Sequence, residues 1–358
     1  MSNYVISKYH YVNSDKDILA LLKSGDDYIM FRKYNGRQGL WDGGLTRGMY
    51  IKDIPFVNPK DVKKNPTQLS TGLWSIGRSG FPIVVEAPLS WTKYMPEGIP
   101  LCGELWTEDD DNFHVGSITA KKNINYMERL DWCDVKFVPF NIKPYSLWFS
   151  PTFFEQGLDV INGIDLHLTQ VAMNSPFFKN DMTYRAKLSC MPQIVMKSKV
   201  MQFPFNTRLK ELNDWTVFKD HAEKNDWEGI VIAKLDCLYT VGVTRDILKW
   251  VRNFKTEATI IGYASGTEGK KYEGMIGALV VSTIWGENSS SMRGGEYTNS
   301  GQKVVYEVSS GLTDEDREGS DRIAKGSVIT VKFNQITQYG KPHTGRIDWP
   351  ILAIAPQV

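Results

Sequence analysis

The sequence predicts an α+β protein in two parts, 1–254 and 255–358. Three observations carry this. Short β-forming runs bounded by glycine and proline recur through the first part, from Asp27–Phe31 to Trp227–Lys234. One stretch, Thr207–Asn225, instead repeats apolar residues at helical spacing: Leu209, Leu212, Trp215, Phe218 and Ala222. After Lys255 the chain turns short-stranded and glycine-rich, with runs at Ala258–Tyr263, Gly277–Val281, Val304–Val308 and Ser327–Phe333. About five strands in roughly a hundred residues predict a small closed β-barrel.

With 358 residues, 42% apolar and 23% charged, the chain can bury a core for each part, and disorder is excluded. The net charge is +1; residues 255–358 carry 11 basic and 12 acidic side chains, leaving +2 for the rest. A nucleic-acid contact must therefore rest on local patches. The cysteines Cys102, Cys133, Cys190 and Cys237 form no CxxC pair, which excludes a zinc ribbon or dithiol redox motif. No run of about 18 apolar residues occurs, so no membrane span is expected. The opening MSNYVISKYHYV lacks the apolar core of a signal peptide, and a cytoplasmic location is expected.

Taken in order, Ile18–Leu22 predicts a short helix. The strand Asp27–Phe31 then delivers Lys33 to a sharp bend at Tyr34-Asn35-Gly36. A glycine beside a lysine lets backbone approach a phosphate, and Arg37 and Arg47 follow as further anion binders. Taken alone, a lysine before a turn is most often merely solvated. Residues 51–72, with three prolines, predict a loop, and Phe81–Glu86 a strand. Leu101–Trp106 encloses Glu104, a carboxylate that burial would make costly without a lysine, arginine or metal beside it. Val135–Ile142 predicts a strand, with Phe140 either packed in the core or offered to a nucleotide base. Residues 143–205 are rich in aromatics and show no readable period. Trp227–Lys234 predicts a strand with Glu228 at its start and Lys234 at its end. A turn, Tyr239–Arg245, leads to a strand bearing Lys249 and Arg252.

Together these segments resemble the covalent nucleotidyltransferases, and most closely the small two-domain ATP-dependent DNA ligases of bacteriophages and large DNA viruses. The resemblance spans nearly the whole chain, most weakly across residues 143–205. The family's KxDGxR is matched by Lys33-Tyr-Asn-Gly-Arg37, with asparagine for aspartate and the arginine one residue early. Arg47, in Leu45-Thr-Arg-Gly48, fits a second family arginine with the same offset. DGEL is matched by Cys102–Leu105 and FDI by Phe140–Ile142, each without its aspartate. EGIVxK is matched by Glu228–Lys234 with one extra residue before the lysine, and YxxGxR…LK by Tyr239–Lys249. In the tail, Glu257–Tyr263, Gly274–Leu279, Ser310–Arg317 and Gly340–Trp349 are similar to segments of the DNA-ligase OB domain.

The resemblance implies a nucleotidyltransferase (adenylation) domain of antiparallel sheets with helices at 1–254, followed by an OB-fold β-barrel at 255–358. It implies a monomer that uses ATP and Mg²⁺ to seal 3′-hydroxyl/5′-phosphate nicks in duplex DNA, in replication and repair, in the host cytoplasm if the source is viral. Lys33 would become a lysyl-AMP. Glu104 would hold ribose or help place metal, and Glu228 would hold the metal. Phe140 would stack on adenine, and Arg37 and Arg47 would clamp ribose and phosphate. Lys234, Lys249 and Arg252 would meet the α-phosphate, and Arg346 would serve the first step. The competing readings are an RNA ligase or GTP-using capping enzyme, and a non-catalytic nick- or end-binding protein of the same fold.

Overall fold

Three residues, Tyr34, Asn35 and Gly36, carry the chain from one five-stranded sheet into another, and that passage builds the first part of the molecule. The computed structural model describes residues 8–77, 80–120, 130–148, 166–286, 301–337, 339–343 and 345–348. The chain divides into two compact units, Met1–Trp250 and Val251–Val358.

The strands of the first unit are β1 (Lys8–Tyr11), β2 (Tyr28–Lys33), β3 (Arg37–Asp42), β4 (Leu73–Ile76), β5 (Pro82–Val84), β6 (Pro100–Trp106), β7 (Lys136–Ile142), β8 (Asn206–Leu209), β9 (Gly229–Lys234) and β10 (Val243–Val251). One sheet has the order β1-β10-β9-β2-β8, the other β5-β4-β3-β6-β7. All the described pairings are antiparallel except β1 with β10. The first sheet packs one face on the helix Leu212–Lys224, which buries Trp215, Phe218 and Ala222 in a cluster shared with Ile18, Met30, Ile230 and Ile232. Each of these large side chains contributes about 1.5–3 kcal/mol when fully buried.

The amphipathic helix expected from Thr207 begins later. Asn206–Leu209 pairs with β2, and the helix starts at Leu212 behind a Glu211/Asp214 capping box. Long-range strand pairing overrides the local period there. The unreadable stretch contains a 13-residue helix, Tyr184–Met196, which buries Tyr184, Lys187, Met191, Ile194 and Val195.

The second unit contains β11 (Phe254–Ser265), β12 (Ile276–Ile284), β13 (Lys303–Val308), β14 (Val328–Phe333), β15 (Gln335–Ile336), β16 (Pro342–His343) and β17 (Arg346–Asp348). Its main sheet runs β13-β12-β11-β14-β17, with β15 and β16 paired separately. Alternation is clear: in β13 and β14 every second residue is buried, feeding a core that includes Ile260, Leu279, Val281, Trp285 and Phe333. The closed barrel is not what the described residues form. The ladder is open, and its edges meet at a single parallel bridge, Ser310 with Arg346. Arg346 is an exposed residue of β17, while Trp349 of the terminal motif lies outside the described residues. No described helix is long and apolar enough to cross a membrane.

Gly36 sets how closely the two sheets of the first unit approach. A β-carbon there would stand 2.2 Å from the carbonyl oxygen of Leu105 and 2.8 Å from Cγ of Glu104. Gly36→Ala should therefore push the turn off β6 and cost about 1–3 kcal/mol. Urea unfolding measures this, and an unchanged midpoint would mean the turn has room for a side chain.

Candidate active site

A cavity of about 260 Å³ opens between the two sheets of the first unit. Phe31, Lys33, Val231, Ala233, Ile247 and Lys249 line it from the first sheet; Gln38, Cys102, Gly103, Glu104, Phe140 and Asn141 line it from the second. The spacing follows from the pleat. Residues two apart along a strand share a face, so β2 presents 31 and 33, β9 presents 231 and 233, and β10 presents 247 and 249.

Lys33 is the last residue of β2, opposite Gly229, and its ammonium pairs with the Glu228 carboxylate just ahead of β9. Gln38 pairs with Glu104 across β3 and β6, so the two face the cavity together. Glu104 has one neighbouring cation, Lys33, and two neighbouring carboxylates, Glu228 and Asp110. Burial raises its pKa from 4.5 to about 8; Lys33 opposes the rise, and the two carboxylates add to it.

Phe140 reaches the cavity through an irregularity. Cys102 pairs with Asn141 but Gly103 pairs with Pro139, so Phe140 is an extra residue in β7. Such a bulge re-aims side chains, and here Phe140 and Asn141 both face the cavity. The Tyr184 hydroxyl donates to the Phe140 carbonyl at 2.8 Å and holds the bulge. At the inner end, the Cys102 thiol lies 3.5 Å from the Tyr239 hydroxyl. The amines of Lys143 and Lys187 are buried near Cys102, and burial lowers the Lys187 pKa to about 8.

The structure does not bring every predicted residue here. Arg37 points to the opposite face of β3, where it donates to Ser75 Oγ at 3.4 Å and Thr119 Oγ1 at 2.9 Å; Gln38 takes the cavity position. Lys234 is likewise on the far face of β9, paired with Asp26 at 2.9 Å, because the extra residue in its motif leaves Ala233 facing inward. Arg47 lines a separate cleft of about 620 Å³ with Lys64, Gln68, Ser70, Glu86 and Thr92. It lies over the Trp41 ring and donates to the Thr92 carbonyl at 3.2 Å. Its turn is tied down by the buried Asp42 carboxylate, which accepts from Thr46 Oγ1 and Trp74 Nε1. Arg252 and Arg346 belong to the second unit, where Arg252 lies over the Phe254 ring and Arg346 pairs in register with Lys332. Gln38, Tyr184 and Tyr239 were missed. The early arrival of Arg37 leaves Gln38 in the place of the family arginine, and Tyr239 opens the YxxGxR match; no sequence pattern marks Tyr184.

Among the described residues no group of three or more His, Cys, Asp or Glu side chains converges as a metal site. Glu104 and Glu228 are two carboxylates with mutual repulsion at one rim, the donor type a hard divalent cation takes. Magnesium needs only one or two such ligands when water and substrate phosphates complete its shell, so the pair fits.

Comparison with known proteins agrees with this architecture. The family model for the DNA ligase OB-like domain matches residues 268–347. A structure of a Lig E DNA ligase, solved in a study of DNA binding with a minimal scaffold, superimposes with a TM-score of 0.61 at 16% identity, covering 96% of this chain and 97% of that one. Two structures named Pmar-Lig_PreS3 and Pmar-Lig_Pre give TM-scores of 0.60 and 0.57 at 12% identity, covering 97% and 96% of this chain and 67% of each of theirs. A search of curated protein sequences finds no match.

The raised Glu104 pKa gives a pH dependence. The folded protein keeps a proton that the unfolded chain releases between about pH 4.5 and pH 8, so stability falls as pH rises through that window. Glu104→Gln removes the effect, and its melting temperature should gain on wild type from pH 5 to pH 8.5. An equal gap at both pH values would show that Glu104 holds no proton. Residues 268–347 thus match the DNA ligase OB-like domain, and the chain shares the overall fold of the Lig E DNA ligase structure.

Proposed function

We propose that the protein is an ATP-dependent DNA ligase that seals 3′-hydroxyl/5′-phosphate nicks through a lysyl-AMP on Lys33. The observation that carries this is the cavity itself. Lys33, Lys249, Glu104 and Phe140 line it with apolar side chains, and Lys33 pairs with Glu228. A planar base would stack on Phe140, which lines the cavity with Val231 and Ala233, since aromatic faces stack on nucleobases. The Lig E neighbour is a DNA ligase by its description, and the OB-like match lies where a ligase carries its second domain.

In the first step Lys33 Nζ attacks the α-phosphorus of ATP. A P–N bond forms, the bond to the bridging oxygen breaks, and pyrophosphate leaves with the electron pair. The lysine must first give up a proton, since a free ammonium has a pKa of about 10.4. Glu228, paired with it, is the nearest acceptor. Lys249 faces the same cavity and would stabilise charge developing on the phosphate. Gln38 replaces an arginine there and would hydrogen-bond the nucleotide without adding charge. Glu104 and Glu228 would hold Mg²⁺, which when bound neutralises phosphate charge. AMP then passes to the 5′-phosphate of a nick, and the 3′-hydroxyl displaces it. Arg47, away from this cavity in a separate cleft, suits a DNA phosphate better than the nucleotide. Arg252 and Arg346 keep the roles that the resemblance implies, contact with the α-phosphate and service in the first step.

A second reading, a non-catalytic nick binder, draws on Arg37 and Lys234 facing away from the cavity. Retention of Lys33 with Glu228 and Glu104 weighs more, since a binder needs no reactive lysine. One gel separates the readings. With nucleotide labelled at the α-phosphate, wild type should take label from ATP and not GTP, the bond should be acid-labile, and Lys33→Ala should take none. Label from GTP would indicate a capping-type enzyme, and no label an inert binder. Label on the alanine variant would move the nucleophile elsewhere.

A further inference from the structure

The turn that carries Lys33 is gripped from behind by a residue with no part in the chemistry above. Asp110 follows β6 with φ of 53°, in the left-handed region that side chains other than Asn and Asp seldom occupy. Its carboxylate Oδ1 accepts from the Asn35 backbone N–H at 3.1 Å and from Trp106 Nε1 at 2.5 Å. The same oxygen pairs with Arg32 Nη2 at 3.1 Å, and the Asp110 carbonyl accepts from Asn35 Nδ2 at 2.8 Å. Arg32 precedes Lys33, and Asn35 follows it by two residues. Arg32 is itself enclosed by aromatic rings, its guanidinium 4.7 Å from the Tyr34 centroid, 5.1 Å from Trp106 and 5.3 Å from Trp227. Trp227 in turn precedes Glu228. Both partners of the Lys33–Glu228 pair are thus anchored on the back face of the sheet by one cluster centred on Asp110.

We propose that Asp110 is the positioning residue for Lys33, and that Asn35 is its matched partner. Asparagine is required at position 35 because its amide must donate to the Asp110 carbonyl. An aspartate there would set a carboxylate against that carbonyl and beside a second carboxylate, and the turn would swing away. The departure from the KxDG pattern is therefore compensated by a residue 75 positions later. The inference rests on the proposed function for its kinetic readout only.

The test compares wild type, Asn35→Asp, Asp110→Asn and the double variant. In the double variant, asparagine at position 110 tolerates the left-handed backbone and removes the like charge. It also supplies an amide that can donate to the carboxylate introduced at position 35. Two readouts are taken. The first is single-turnover self-adenylation across ATP concentrations. Asn35→Asp should lower the saturating rate by about 10-fold to 100-fold, as misplacement of a reacting group does. Its half-saturating ATP should change less than about threefold, since the cavity walls are intact. The double variant should recover part of the rate, because the like charge is gone while the main-chain carbonyl of position 110 still lacks its donor.

The second readout needs no catalysis: acetylation of Lys33 by acetic anhydride, followed by mass spectrometry with Lys234 as internal reference. Acetylation should rise several-fold in Asn35→Asp, rise less in Asp110→Asn, and return toward wild type in the double variant. If wild type fails to adenylate, the functional reading falls and this footprint still decides the positioning. If Asn35→Asp does not fold, Asp110→Asn decides it. Unchanged Lys33 acetylation in the folded single variants, or a double variant worse than Asn35→Asp in both readouts, would overturn the proposal.

Discussion

Side chains alternate across a β-strand, and that constraint decides which charges meet around Lys33. One residue of register moves a side chain from the cavity to the far face of its sheet. On β3 the arginine that arrives one position early bonds Ser75 and Thr119 while Gln38 faces inward. On β9 the one-residue insertion turns Lys234 toward Asp26 and leaves Ala233 at the wall. The cavity therefore has fewer cations than the motif list suggests. Among its described lining residues only Lys33 and Lys249 are basic. Lys143 and Lys187 are buried near Cys102, and loss of hydration lowers both pKa values.

The carboxylates follow from the same geometry. Lys33 meets Glu228 because β2 and β9 pair antiparallel with Lys33 opposite Gly229. Glu104 joins them because Gly36 lets the turn lie directly against β6. Burial is the main reason Glu104 favours its proton, and the neighbouring Glu228 and Asp110 carboxylates add to it while Lys33 opposes it. The cavity is lined by residues of the first unit alone.

Much of this was legible in the sequence, and the rest was not for definite reasons. Strand runs with flanking glycines placed β2, β6, β7 and β9, and Lys33, Glu104, Phe140 and Glu228 do converge on one rim or wall. What sequence could not supply is pairing at long range. The strand Asn206–Leu209 hid inside a helical period because its partner, β2, lies far back in the chain at Tyr28–Lys33. Phe140 faces the cavity through a bulge, which a residue count does not reveal. Tyr184 came from a stretch with no period, and Asp110 is one of four consecutive acidic residues, Glu108–Asp111, with nothing in the sequence to single it out. The offsets at Arg37 and Lys234 were visible, but reading them as a change of face needed the strands on either side.

The account stands on the claim that strand register, and not motif membership, selects the cation that serves the α-phosphate. Single-turnover self-adenylation of Lys249→Ala and Lys234→Ala tests this directly. Lys249 faces the cavity, so its loss should slow the step by about 100-fold or more, as loss of a transition-state donor does. Lys234 makes a surface ion pair with Asp26, so its loss should leave the rate within a few-fold of wild type. The reverse order, with Lys234→Ala crippled and Lys249→Ala near wild type, would contradict the account.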